Sequence, residues 1–117
     1  MSGSVSYYSG LAVEDTVAQD YQKRGHEIVA KRWRSRAGEI DLIAKKDGNV
    51  IFVEVKKSNS FEAAAQMLSP HQIARIYCSA SIYLDGEPKG QDSNARFDVA
   101  LVNGQGVVSI LENAICA

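Results

Sequence analysis

Asp41, Glu54 and Lys56 are the residues of this chain whose types and spacing point most directly to chemistry. Glu54 and Lys56 lie in Phe52-Val53-Glu54-Val55-Lys56, and Asp41 lies upstream in Gly38-Glu39-Ile40-Asp41-Leu42-Ile43. Between the two segments stands Asp47-Gly48, a strong signal for a tight β-hairpin. A two-residue turn there sets Lys46 against Asn49, Ile43 against Phe52 and Asp41 against Glu54. Opposed residues bring their Cβ atoms to about 4.5–5.5 Å, where like charges destabilise the pair. A hard divalent cation, Mg²⁺ or Mn²⁺, would remove that cost, since such ions are held by one or two carboxylates together with water and phosphate oxygens. Lys56, on the face of Glu54, would then orient water and offset phosphate charge. The competing account is a half-exposed strand on which Glu54 and Lys56 alternate outward, but the apolar flanks on both sides argue against it. A three-residue turn would shift the pairing by one and need a bulge to restore the common face.

Positioning such a cluster takes a framework, and the periodicities supply one. A helix is expected from about Ser9 to Arg24, ending at Gly25, with Leu11, Glu14, Ala18 and Tyr21 on one face. Glu14 thus falls on the stripe that should face the core, where an unpaired carboxylate is costly. A rotated helix that exposes it is the equal alternative. Strands follow at Ile28–Arg34, from Gly38 through Ala44, and at Asn49–Lys56, the last two apolar on both faces as in a covered sheet centre. Ser69-Pro70-His71-Gln72 opens a second helix with a capping box, and Asp85-Gly86-Glu87-Pro88 ends it. Lys89 to Asn94 reads as a mobile surface loop, and Arg96–Val102 and Val107–Leu111 as two more strands. The order α-β-β-β-α-β-β describes an α/β fold, a small mixed sheet flanked by helices.

Composition limits the function. Thirteen basic and 14 acidic residues give a net charge of −1, unlike a non-specific nucleic-acid coat protein. The charge is uneven, with four cations in the six residues Lys31-Arg32-Trp33-Arg34-Ser35-Arg36. Arg32, Arg34 and Arg36 share one face if the strand stays extended, a stripe suited to phosphate oxygens or to guarding a sheet edge. Trp33, on the opposite face, is expected in the core. Asp98 is either a further acid near the site or, the favoured reading, pairs with Arg96 or another basic group, and His26 is expected to be solvated at a turn. No membrane-length apolar run and no signal-peptide pattern is present, so a cytoplasmic location is expected. Cys78 and Cys116 show neither metal-ligand spacing nor a disulfide framework.

Arg32-Trp33-Arg34, Gly38 to Ile43, Phe52 to Lys56 and Arg96-Phe97-Asp98-Val99 resemble, in order and spacing, the YraN-like family of small bacterial proteins. That family is similar to a branch of the PD-(D/E)XK nuclease superfamily, nearest to archaeal Holliday-junction resolvases. The resemblance covers roughly residues 8–111 and implies one restriction-endonuclease-like domain over residues 1–117. It implies that Asp41 and Glu54 bind Mg²⁺ or Mn²⁺, that Lys56 is catalytic, and that Glu14 matches an acid which several resolvase-like members carry on their first helix. Arg32, Arg34, Arg36 and Lys57 would guide a nucleic-acid backbone. The implied activity is metal-dependent hydrolysis of DNA, branched or otherwise structured, by a homodimer; the alternative is a non-catalytic module, binding nucleic acid or protein, that retained the fold. The chain departs from the family's pattern in two places. Lys57-Ser58 stands where many members have Thr-Arg, and His71 where they commonly have Lys, a phosphate contact that His71 or Arg75 could replace in part. Gln72 resembles a helix glutamine of some nucleases in the superfamily, but its place in the capping box accounts for it.

Overall fold

The computed structural model describes the backbone of residues 2–114 and the side chains of residues 13–114. Helix α1 (Ser2–Lys23) leads into strands β1 (Glu27–Ser35), β2 (Gly38–Lys46) and β3 (Asn49–Lys57). Two helices, α2 (Phe61–Gln66) and α3 (Pro70–Leu84), connect these to β4 (Ala95–Val102) and β5 (Val108–Leu111). The five strands form one sheet in sequence order, antiparallel except for the central β3–β4 pair. This is the expected mixed α/β architecture, compatible with a restriction-endonuclease-like fold.

Local chemistry explains most boundaries. The end of α1 is a Schellman motif: Gly25 has φ +87°, its N–H donates to Gln22 O and that of His26 to Tyr21 O. The α1 helix starts earlier than periodicity suggested, and Leu11 lies outside the residues whose side chains are described. Asp47 and Gly48 both have positive φ (52° and 80°), as a type I′ hairpin requires. Helix α3 begins with Ser69 as N-cap and Pro70 in the first turn. Helix α2, capped by Ser60, had no periodic signal because six residues are too few to show one. The stretch expected as a mobile loop instead contains a 3₁₀ turn, Gly90–Asp92. Gln91 ties this turn to α3 by donating to Ser81 O (2.9 Å) and Asp85 Oδ1 (2.8 Å).

Hydrophobic cores cover both faces of the sheet. On one face Val17, Ala18 and Tyr21 of α1 pack on Leu42, Ala44, Ile51, Val53, Ala100 and Val102. On the other, Ala80 and Leu84 of α3 pack on Ile40, Ile43, Val50 and Phe52, with Trp33 against this cluster as expected. Ile76 joins α2's Ala64 over Val99 and Leu101. Asp98, fully buried on β4, pairs with Arg96 through two hydrogen bonds (2.8 and 2.9 Å). It also accepts from the Tyr21 hydroxyl (2.7 Å) and the Asn113 N–H (2.9 Å). His26 is half-buried rather than solvated, its Nδ1 3.1 Å from Tyr21 O and its ring edge-on to the Tyr21 ring. Cys78 is an exposed free thiol, and Cys116 lies outside the described residues. No helix among the described residues is long and apolar enough to cross a membrane.

Candidate metal and phosphate site

The hairpin register places the acids. Observed pairs run from Lys46↔Asn49 to Leu42↔Val53, the register of a two-residue turn. The next pair would be Asp41 with Glu54, and there the strands part. Strand β2 continues to Gly38 paired with β1, while β3 continues to Lys57 paired with β4. Asp41 stands in the resulting fork. Its Oδ2 accepts the Val55 N–H at 2.8 Å, so the side chain does what a β2 carbonyl does in a continuous ladder.

The carboxyl groups of Asp41 and Glu54 lie within hydrogen-bonding reach of each other. Burial, the shared hydrogen bond and the Asp41 charge push the Glu54 carboxyl up to about 9, against a smaller opposing effect of Lys56. Without a cation, the pair therefore meets its own repulsion by keeping a proton on Glu54. Burial, and next the Asp41 charge, also raise Glu14, which approaches the fork from α1. These donors fit a hard cation: two ionisable oxygen ligands from adjacent strands, one anchored by a backbone N–H, with an ammonium two residues away. They do not form a closed cage, because among the described residues no group of three or more His, Cys, Asp or Glu converges to hold an ion. Water and substrate oxygens would complete the shell.

The opposite wall comes from α3. Glu39, Glu54, Gln72, Arg75 and Ile76 line one small cavity. In one orientation of the Gln72 amide, Oε1 accepts from Ser69 N at 3.4 Å and closes the capping box. In the other, its nitrogen donates to Met67 O and its oxygen accepts from Lys56 Nζ, both at 3.0 Å. The second avoids setting an NH₂ against an ammonium: it gives up the Gln72 half of the capping box, leaves the Ser69 Oγ cap on the Gln72 N–H in place, and fixes the end of Lys56. That contact was hidden in the sequence because the capping motif alone accounts for a glutamine at this position. Arg75, one turn further on, lies over Gly38, where an added Cβ would come 3.4 Å from its Nε. Gly38 has φ +144°, a conformation open to glycine and strained for other residues. Gly38→Ala is expected to cost about 1–3 kcal/mol in chemical denaturation, chiefly through the backbone, while Arg75, with a flexible end, shifts aside.

The arginine stripe is broken rather than continuous. Leu42 packs toward α1 but Ile40 packs toward α3, so the alternation of β2 fails at Asp41. Across from it, Arg32 has φ +50° inside β1. Two consecutive side chains consequently reach α1: Lys31 Nζ lies 2.9 Å from Asp15 Oδ1, and Arg32 Nε 3.7 Å from Glu14 Oε2. Arg32 and Arg34 both approach Glu39 Oε1, at 3.8 and 3.6 Å. Arg36 does not belong with them. It sits in the two-residue turn after β1 and lines a groove with Tyr77, Cys78 and Ser81 of α3. The chain leaves the extended conformation one residue too early for a three-arginine face. Lys57 is exposed at the end of β3, where strand alternation turns it away from Lys56, and His71 is exposed at the start of α3.

A mixed five-stranded sheet with helices on both faces makes this a small α/β protein, compatible with the restriction-endonuclease-like class. The chain belongs to the uncharacterised protein family UPF0102, the YraN family, whose model matches residues 13–102. A UPF0102 protein of Cereibacter sphaeroides is 55% identical over 117 residues, covering the whole of both chains. One from Roseobacter denitrificans is 47% identical over 114 residues, 97% of this chain and 88% of its own. A third, from Dinoroseobacter shibae, is 40% identical over 111 residues, 95% and 83% respectively. The family's name states no activity.

Proposed function

We propose that the protein is a divalent-cation-dependent phosphodiesterase acting on DNA, with branched or otherwise structured DNA as the substrate class. The observation that carries this reading is the Asp41–Glu54 carboxyl pair facing itself in the sheet fork, next to Lys56. In this reading Asp41 and Glu54 hold Mg²⁺ or Mn²⁺, and a bound cation would make water a stronger nucleophile and stabilise charge on the leaving oxygen. Gln72 holds the Lys56 ammonium in the fork, where it orients the attacking water and faces the negative phosphate. Glu14, whose carboxyl is raised by burial and by the Asp41 charge, would accept a hydrogen bond from that water. Arg32, Arg34, Arg75 and Lys57 supply the positive charge that sets the backbone in place. Arg36 takes a secondary position outside the fork. We propose a cytoplasmic location and, as the resemblance of its sequence motifs to those of two-fold resolvases implies, a homodimer.

The test uses end-labelled four-armed, single-stranded and duplex DNA, with and without Mg²⁺ or Mn²⁺, beside Asp41→Ala and Glu54→Ala. Cleavage that needs the ion and both acids is expected. Cleavage that survives in either variant contradicts the mechanism. Binding without cleavage of any substrate would instead support a module that kept the nuclease fold and bears no catalysis, a reading favoured by the open ligand set and the net charge of −1.

A further inference from the structure

Arg32 is the charged residue that breaks the extended backbone of β1, across from Asp41. A strand residue with φ +50° is strained, and for a non-glycine such strain persists only where the surroundings impose it. Here it turns the guanidinium away from the sheet edge and onto the acids beside the fork. The contacts it makes there are loose. Its Nε stands 3.7 Å from Glu14 and 3.8 Å from Glu39, beyond hydrogen-bond distance, and its side chain remains 42% exposed. Glu39 Oε1, buried, has no hydrogen-bond partner, although two guanidiniums face it. Arg32 is thus a cation held against carboxylates by charge alone, with water on its open side.

We infer that Arg32 is a movable counter-ion, held on Glu14 and Glu39 while the fork lacks a cation and released to a substrate phosphate when a divalent ion occupies Asp41 and Glu54. This rests on the reading of the fork as a cation site. Positive charge arriving at Asp41 repels the guanidinium and draws the Glu14 carboxylate toward itself, so Arg32 loses its reason to stay. A phosphate oxygen offers it the charge-assisted hydrogen bonds that neither glutamate makes at the present distances. Cation and nucleic acid then bind cooperatively through one side chain, and linkage makes the effect reciprocal. Arg34 touches Glu39 but not Glu14 and serves as the matched control.

The measurement is the affinity of a short fluorescein-labelled DNA duplex, by anisotropy at fixed ionic strength, in EDTA and in Ca²⁺. Mn²⁺ binding is followed in parallel by electron paramagnetic resonance. For the unaltered protein, Ca²⁺ is expected to tighten DNA binding by about fivefold or more. Arg32→Gln loses this increment while binding Mn²⁺ at least as tightly, because a competing cation is gone. Arg34→Gln weakens DNA binding equally in both media and keeps the increment. Arg32→Gly, in which the positive φ carries no strain, secures a folded variant and should behave as Arg32→Gln. An increment retained in Arg32→Gln and Arg32→Gly, or Mn²⁺ binding loosened in them, overturns the role of Arg32 with the cation site intact. Loss of Mn²⁺ binding in the unaltered protein overturns the cation site itself, and this inference with it.

Discussion

Glu54→Gln is expected to make the cation-free protein more stable and, in the same substitution, to abolish ion-dependent DNA cleavage. Folding raises the Glu54 carboxyl from its ordinary value near 4.5 to about 9. Between those values the folded protein holds a proton that the unfolded chain releases, so stability is fully present below the lower value and falls as pH rises toward the upper one. Glutamine keeps the shape of the protonated carboxyl and does not titrate. At about pH 8 the variant should gain on the order of 2 kcal/mol. This is well below what about 1.36 kcal/mol per pKa unit would give over the whole shift, because the fork is partly open to water and its charges are screened. Urea denaturation in EDTA across this pH range should show a falling stability for the unaltered protein and a flatter one for the variant. Cleavage, which needs the second anionic ligand, should drop by about a thousandfold or more. A site that weakens the fold while its ligand is absent is the usual cost of function. Equal pH dependence in both proteins would show that Glu54 is an ordinary surface acid.

The second large effect lies one strand over from the fork, on β4, where Asp98 is paired in register with Val53. Asp98 is fully buried and binds Arg96, the Tyr21 hydroxyl and the Asn113 N–H, thereby joining α1, β4 and the segment after β5. Burial and the bond to Asp98 keep the Tyr21 phenol protonated far past its usual range. Asp98→Ala removes the acceptor and leaves the Arg96 charge without its partner. The expected loss is about 3–5 kcal/mol, a large part of the total stability of a domain this size. Asp98→Asn, which keeps the shape and loses the charge, should cost about 1–3 kcal/mol. Circular dichroism during urea unfolding reads both. Wild-type stability in Asp98→Ala would show that the network contributes nothing net.

Much of this arrangement was legible in the residues because local chemistry decides it. Asp47-Gly48 sets the turn, and the turn sets the register as far as Leu42 and Val53, one residue short of Asp41 and Glu54. Ser69-Pro70 begins a helix wherever it stands before an apolar stripe. What the residues concealed depends on tertiary contact. Nothing in Lys31-Arg32-Trp33 announces a left-handed backbone at Arg32, because arginine rarely adopts it. The same break carries Ile40 and Leu42 to opposite faces and takes Arg36 out of the stripe, since strand alternation holds only while the strand is regular. Gln72 satisfied a local motif so completely that its contact with Lys56, across 16 residues of chain, left no trace in the sequence.

The central claim is that Asp41 and Glu54 form a cation site. Calorimetric titration of Mn²⁺ into the unaltered protein, Asp41→Asn and Glu54→Gln, near pH 8 in two buffers of different ionisation heat, tests it most directly. The prediction is binding in the unaltered protein alone, with release of about one proton as Glu54 ionises. Binding of equal strength in either variant, or none in the unaltered protein, would contradict it.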